Sequence, residues 1–386
     1  MRTASVVVAG CGVVGASVAW HLALRGVRDV LVLDRGARAG LGSTGAATGG
    51  FRAQFASPVN VRLSLIARDE LRRFPDEVGA DPGFDPRGYL WIARDPERLA
   101  QLRAAREVQV GEGLIEAVEV DAGEIRRLQP AIDTAGVIGG TYCPTDGYIV
   151  PVAMLHGYIA AAERLGARFE WNAGVTGIER GRTGGIVAVR VGAERIACER
   201  LVNAAGAWSA GLAALAGVAL PVVPLRRQVA MTAPTAAIPP SSPMTIWVED
   251  GFHLRPRDGR VLIAFPSPGD PRDPFSIAVE PSWLLDVGRR KDERVPALRS
   301  IPIDPAACWA GLYEMSPDRH AILGEAPGWP GLYFANGSSG HGVMHAPALG
   351  ALLAEILTDG RASTMDVAPL RPVRFEERAP NPGEIL

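Results

Sequence analysis

The sequence predicts an α/β protein in two parts, a discontinuous Rossmann-like dinucleotide-binding part and a part built on an antiparallel sheet with helices. Three observations lead there. The chain opens on an apolar run, a glycine-rich turn, a helical pattern and a second apolar run within about thirty-five residues, the make-up of a βαβ unit. Over 221–265 the texture changes to short alternating segments cut by proline and glycine turns, as in antiparallel strands. Beyond residue 306 the opening style returns, so the dinucleotide part is interrupted and then resumed.

Taken in order, Ser5-Val-Val-Val-Ala9 is of strand length, and the helix after it places Val18, Leu22 and Leu24 on one side. Residues 29–34 suit a buried parallel strand. A helix over 59–74 turns Leu63, Ile66, Leu71 and Phe74 inward, and a short strand and charged helices at 98–108 and 122–128 follow. Pro151 fits the first turn of a helix over 151–166, after which strand-like segments lead to 201–206. Strands are expected at 227–232, 244–248, 253–255 and 261–265, a charged helix at 283–291, a strand at 331–335 and a helix at 346–357. The division that results gives 1–75, 140–220 and 306–386 to the dinucleotide part, and 76–139 and 221–305 to the substrate part.

Composition narrows the function. Forty basic against 42 acidic side chains leave a net charge of −2, which offers nothing to a nucleic acid. The basic residues are arginines apart from Lys291. No apolar run is long enough to span a membrane, and the opening lacks the layout of a signal peptide. Cys11, Cys143, Cys198 and Cys308 are scattered without a CxxC pair, so reduced thiols in a cytoplasmic protein are expected, with neither disulfides nor a metal site.

The opening turn reads Gly10-Cys11-Gly12-Val13-Val14-Gly15. Gly10 permits the tight turn, Gly12 lets the backbone approach a pyrophosphate, and Gly15 lets the helix pack on the strand. The helix start then offers unpaired N–H groups and a partial positive charge to the phosphates. Asp34, followed by Arg35, ends the second strand where a carboxylate accepts hydrogen bonds from ribose hydroxyls. That much fits FAD or NAD alike. The next segment selects FAD, because Gly42, Ser43, Thr44, Ala47, Thr48 and Gly49 are small enough to approach a pyrophosphate and an isoalloxazine ring. An NAD domain would begin another βαβ unit here.

The sequence resembles the FAD-dependent amine and amino-acid oxidase superfamily of D-amino-acid oxidase, glycine oxidase and sarcosine oxidase, over nearly its whole length. The motifs are the opening turn, the Gly42-Ser-Thr-Gly45 segment, Asp146-Gly-Tyr-Ile-Val-Pro151, Leu201-Val-Asn-Ala-Ala-Gly-Ala-Trp208 and Pro224-Leu-Arg-Arg-Gln228. Two more, Trp309-Ala-Gly-Leu-Tyr-Glu-Met-Ser-Pro-Asp318 and Gly337-Ser-Ser-Gly-His-Gly-Val-Met-His345, are most like the β-type subunits of sarcosine oxidase and proline dehydrogenase. The resemblance implies that Val175 meets the adenine through its backbone. It also implies that Ala204, Ala205 and Gly206 pass the ADP moiety beside Trp208, and that Gly340, His341, Gly342, Val343 and Met344 border the flavin. The cysteine that anchors flavin in monomeric sarcosine oxidase corresponds to Gly311, so non-covalent FAD is expected. The turn before the last helix suits negative charge at the N1–C2=O edge of a reduced flavin.

The implied chemistry is hydride transfer from a neutral amine's α C–H to the flavin, after which the imine hydrolyses to glyoxylate or a similar carbonyl compound and an amine, with H2O2 if oxygen is the acceptor. No acid–base triad is needed or visible. Arg52 lies where sarcosine oxidases place a carboxylate-binding arginine, and a guanidinium grips a carboxylate bidentately. Two other anchors are missing: Met344 replaces a lysine of monomeric sarcosine oxidase, and Tyr313 replaces an arginine of glycine oxidase. His253 and Arg255, alternating on one strand, are candidate replacements, and His341 is a candidate donor to the flavin. The substrate expected is an amino acid or N-substituted glycine, a secondary amine bulkier than glycine. The other readings are a dehydrogenase-type β subunit that passes electrons to a partner instead of O2, and a non-catalytic flavin-binding protein.

Overall fold

In the computed structural model, which describes residues 2–266, 269 and 273–382, the strand Val6–Ala9 sits inside a six-stranded sheet. The order is Ile322–Glu325, Leu332–Asn336, Arg200–Asn203, Val6–Ala9, Val30–Leu33 and Arg168–Glu170, all parallel except the first pair. Side chains alternate across it. Val6, Val8, Val30, Val32 and Val202 join a core shared with helices, whereas Val7, Ala9, Leu31, Leu33 and Leu201 join a second core on the other face. That second core is covered by a small sheet of Arg2–Thr3, Glu194–Ala197, Ile186–Val191 and Gly177–Arg180. Both central strands are therefore apolar without alternation.

The helix Val13–Leu24 packs between Pro151–Arg164 and Gly342–Asp359, with Trp20 at 5.4 Å from the Tyr158 ring. Being enclosed, it is apolar nearly all round. Leu24 departs from expectation: it is 56% exposed, because two positions beyond Leu22 a helix has turned to its opposite side. The last helix starts at Gly342, ahead of the expected 346, which puts its first-turn N–H groups beside the site.

The second large sheet has eight strands, in the order Trp309–Met315, Val223–Met231, Arg260–Ala264, His253–Arg257, Met244–Trp247, Tyr89–Ala93, Gly139–Cys143 and Val118–Val120. It is antiparallel as expected apart from Met244–Trp247 against Tyr89–Ala93, which run parallel. Leu90, Ile92, Trp247, Leu254 and Ile263 form a core with Trp283 and Val287 of the helix Pro281–Arg294. The alternate residues, among them Tyr89, Trp91, Ile246 and His253, face the other way, into a cavity. The strand Trp309–Met315 belongs to this sheet, and its register sets Gly311 opposite Arg227 and Tyr313 opposite Leu225. Among the described residues no helix is long and apolar enough to cross a membrane.

Candidate functional site

A cavity of about 1180 Å³ runs between the two sheets, larger than the roughly 300–1,000 Å³ of a drug-sized pocket. One end is made of backbone. Gly10 has φ +106°, and a Cβ there would lie 2.4 Å from the Ala204 carbonyl oxygen, so only glycine fits the turn. Gly15 is behind the wall; a Cβ on it would lie 2.0 Å from the Gly10 carbonyl oxygen. Cys11, Gly12, Val13 and Val14 line the cavity, and the Thr44 hydroxyl accepts a hydrogen bond from the Val13 N–H at 3.0 Å. The Asp34 carboxylate accepts from the amides of Cys11 (2.6 Å) and Gly36 (2.7 Å), which fixes the oxygens at the cavity edge.

Small residues continue the wall: Gly42, Ser43, Ala47, Thr48 and Gly49 on one side, Ala204, Ala205 and Gly206 on the other. Val175 also lines it. Arg35 lies 3.8 Å over the Trp208 ring and closes this end as a stacked pair. A glycine–alanine cradle between two helix starts, at Val13 and Gly342, fits an extended dinucleotide whose phosphates and flavin edge are anionic. Midway, a Cβ on Gly311 would lie 2.7 Å from the Ala46 methyl, so this strand touches the opposite wall and has no room for a side chain.

The other end is made of side chains. Arg52 is 6% exposed and donates to the Gln54 carbonyl, with its guanidinium 3.9 Å over the Phe55 ring. It also donates to His341 Nε2 at 3.4 Å, which makes that nitrogen an acceptor and puts the proton on Nδ1. Burial, helped by the field of Arg52, holds His341 far below the usual histidine range, so it is neutral. His345, bonded to the Ser64 hydroxyl at 2.9 Å, is pulled down to about 3 by burial and then Arg52. His253 Nδ1 donates to the Gly251 carbonyl at 2.8 Å, leaving Nε2 as an acceptor on the cavity side. Burial is the main reason that its pKa is lowered, and the fields of Arg52 and Arg227 add to it.

Tyr313 and Met344 line this end, and the Tyr313 ring lies against Gly340, where a Cβ would come within 2.4 Å of it. Gly342 and Val343 join them on the wall. Arg255 is placed elsewhere. Its guanidinium donates to the carbonyls of Thr48 (3.1 Å) and Gly49 (2.9 Å) and stacks 3.9 Å over Tyr148, so it fastens the cradle loop from behind and does not line the cavity. The Arg52 segment is held similarly: buried Asp146 accepts from the Ala53 amide at 2.8 Å and from the Gln54 side chain at 3.2 Å. Burial raises its carboxyl to about 6 against those bonds.

Several wall residues were not expected from the sequence: Tyr89, Trp91, Arg227 and Glu314. The alternation in Tyr89-Leu-Trp-Ile92 was a signal for the first two, since period two puts Tyr89 and Trp91 on one face. Glu314 carries the larger surprise. Its Oε2 has no hydrogen-bond partner, and burial lifts the carboxyl to about 7 although Ser338 and Gly337 favour the ionised form.

Several known proteins are similar to this chain in sequence or in fold. FAD-dependent oxidoreductase domain-containing protein 1 of Xenopus laevis is 28% identical over an alignment of 421 residues, spanning 98% of this chain and 83% of its own. L-proline dehydrogenase from P. horikoshii superposes with a TM-score of 0.90 at 28% identity, over 98% of this chain and 100% of that one. Glycine oxidase from Geobacillus kaustophilus does so with a TM-score of 0.84 at 26% identity, over 97% and 99%. The model of the family described as FAD dependent oxidoreductase matches residues 5–356, so this chain belongs to that family and FAD is its cofactor.

Proposed function

We propose that the protein oxidises the C–N bond of an amino acid or N-substituted glycine, a secondary amine in particular. One observation carries this reading: the buried Arg52 guanidinium and the acceptor Nε2 of neutral His253 share one end of the cavity whose other end is the dinucleotide cradle. FAD, when bound, supplies the two-electron acceptor for the hydride of the substrate's α C–H. The chain's own work is to bind and orient. Arg52, fixed by Phe55, Gln54 and His341, holds the carboxylate. His253 Nε2 accepts a hydrogen bond from the substrate N–H and orients it, and the positive field of Arg52 at that place favours the unprotonated amine that oxidation requires. Trp91, Met244 and Ile246 make an apolar wall that suits an N-substituent and excludes water. Hydrolysis of the product imine then gives a carbonyl compound, glyoxylate for an N-substituted glycine, and the smaller amine.

FAD is held without a covalent bond in this reading. Gly311 has no side chain to offer, and Cys308 is turned away, with its thiol donating to the Asp304 carbonyl at 3.2 Å.

Anaerobic mixing with sarcosine, proline, glycine and larger N-carboxymethyl amines tests the proposal. Bleaching of the flavin by a carboxylate-bearing amine is expected; no bleaching by any of them would leave a non-catalytic flavoprotein. A dehydrogenase passing electrons to a partner is the second reading, favoured by the position of Lys291. This single lysine donates to the Leu298 carbonyl at 2.5 Å and is not on the cavity wall, so no lysine stands by to activate oxygen. A flavin that amines reduce but air reoxidises slowly would select that reading.

A further inference from the structure

One acid on the cavity wall has no task in the site as so far described. Glu314 lies near the end of the strand Trp309–Met315 and lines the cavity. Its backbone is pinned there, since its carbonyl accepts the Ser339 N–H at 3.0 Å. The side chain is less well provided for. Oε1 accepts one hydrogen bond, from the Ser338 N–H at 3.3 Å, and Oε2 has no partner among the described residues. Directly across the strand pair stands Pro224, which has no polar side chain to offer. The other two acids of the wall are satisfied, Asp34 by the amides of Cys11 and Gly36, Asp250 by Arg290 and Arg294. A buried carboxyl with unfilled bonding capacity costs stability, which points to a partner outside the chain.

The place of the carboxyl narrows the choice of partner. A Cβ set on Gly206 would lie 4.0 Å from Oε2, and one set on Gly342 would lie 3.6 Å from Oε1. Gly206 belongs to the glycine–alanine cradle, and Gly342 opens the helix whose start suits the flavin edge. The carboxyl therefore stands between the wall that suits the phosphates and the wall that suits the ring. What joins those two parts of FAD is the ribityl chain, a polyol. A hydroxyl suits this carboxyl in both its forms, because it donates to the carboxylate and accepts from the acid. A phosphate could partner only the acid. Burial lifts the group to about 7, so both forms are present near neutrality. We propose that Glu314 is a cofactor ligand whose carboxyl hydrogen-bonds a ribityl hydroxyl of FAD. The assignment rests on the cofactor and not on the amine-oxidation reading.

The test is cofactor binding by the full-length protein after its FAD has been removed, followed by tryptophan fluorescence. The ligands are FAD and its 2′-, 3′- and 4′-deoxyribityl analogues. In the unaltered protein at least one analogue is expected to bind about tenfold more weakly than FAD, the worth of one hydrogen bond to a carboxyl. Glu314→Leu should bind FAD about tenfold more weakly and tell that analogue from FAD by less than about threefold, as a coupled pair requires. Glu314→Gln, which keeps a donor and an acceptor, should retain both the affinity and the discrimination. Equal binding of FAD and all three analogues by the unaltered protein overturns the proposal, and this arm needs no variant to fold. A Glu314→Leu protein that keeps the full discrimination while weakening FAD and every analogue by one factor overturns it too, since the side chain would then act through the fold alone. Neither readout involves an amine, so failure here leaves the oxidation reading untouched.

Discussion

At the dinucleotide end of the cavity the working groups are backbone amides, carbonyls and the absence of side chains, contributed by Gly10, Gly12, Thr44 and the first turn of the helix Val13–Leu24. At the end proposed for the substrate the wall is made of side chains instead, among them Arg52, His253 and Tyr313, from three stretches far apart in sequence. The contrast follows from the ligands. A pyrophosphate is the same in every member of such a family and is met by helix N–H groups that any sequence can supply if nothing obstructs them. A substrate varies, and only side chains can vary with it. Substitutions at the first end should therefore act by steric obstruction and at the second by lost charge or hydrogen bonds.

The largest effect is expected for Gly15→Val. Its Cβ would sit 2.0 Å from the Gly10 carbonyl oxygen, and backbone that must move there removes the phosphate cradle. With a strain of about 3 kcal/mol or more, FAD affinity falls by at least about 100-fold. The protein should purify colourless, and retained yellow colour with normal circular dichroism would break the comparison. Arg52→Met comes next: it should raise the dissociation constant of a carboxylate substrate by roughly 30- to 100-fold, as removal of one partner of a buried charged pair does, while FAD is retained. Saturation of flavin reduction with substrate is the measurement.

Glu314→Gln sharpens the comparison at the boundary of the two ends. An acid whose folded pKa is raised from the ordinary 4.5 to about 7 costs nothing below about pH 4.5, where both states are protonated. The penalty grows as pH rises between those values and stays constant above about 7. The flavin-free variant should therefore gain stability over the parent at pH 8 and not at pH 4.5, by up to about 3 kcal/mol. Denaturant melts at the two pH values check the sign. His345 acts with the opposite sign: with its pKa pulled to about 3, stability falls as pH drops from about 6.5 towards 3. Smallest of all is Cys308→Ser, for which acid precipitation should release the same full amount of flavin as from the parent.

The βαβ opening, the strands 29–34 and 331–335 and the flanking helices were legible in the sequence because a strand buried on both faces and a glycine turn leave local marks. So was the cradle itself, since Gly10, Gly12, Gly15, Asp34 and Thr44 act through neighbours in the chain or through their lack of bulk. Arg52, His253 and Tyr313 were legible only as candidates. Which arginines face the cavity was not: Arg255 and Arg227 look alike in the chain, yet one grips the Thr48 and Gly49 carbonyls and the other stands on the cavity wall. The difference depends on the register of Val223–Met231 against Trp309–Met315 and on a parallel pair formed between residues 89–93 and 244–247. The unsatisfied carboxyl of Glu314 is likewise a product of packing. Local residues determine the dinucleotide cradle because it is built of backbone and small side chains; long-range pairing determines the end proposed for the substrate because its side chains come from distant strands.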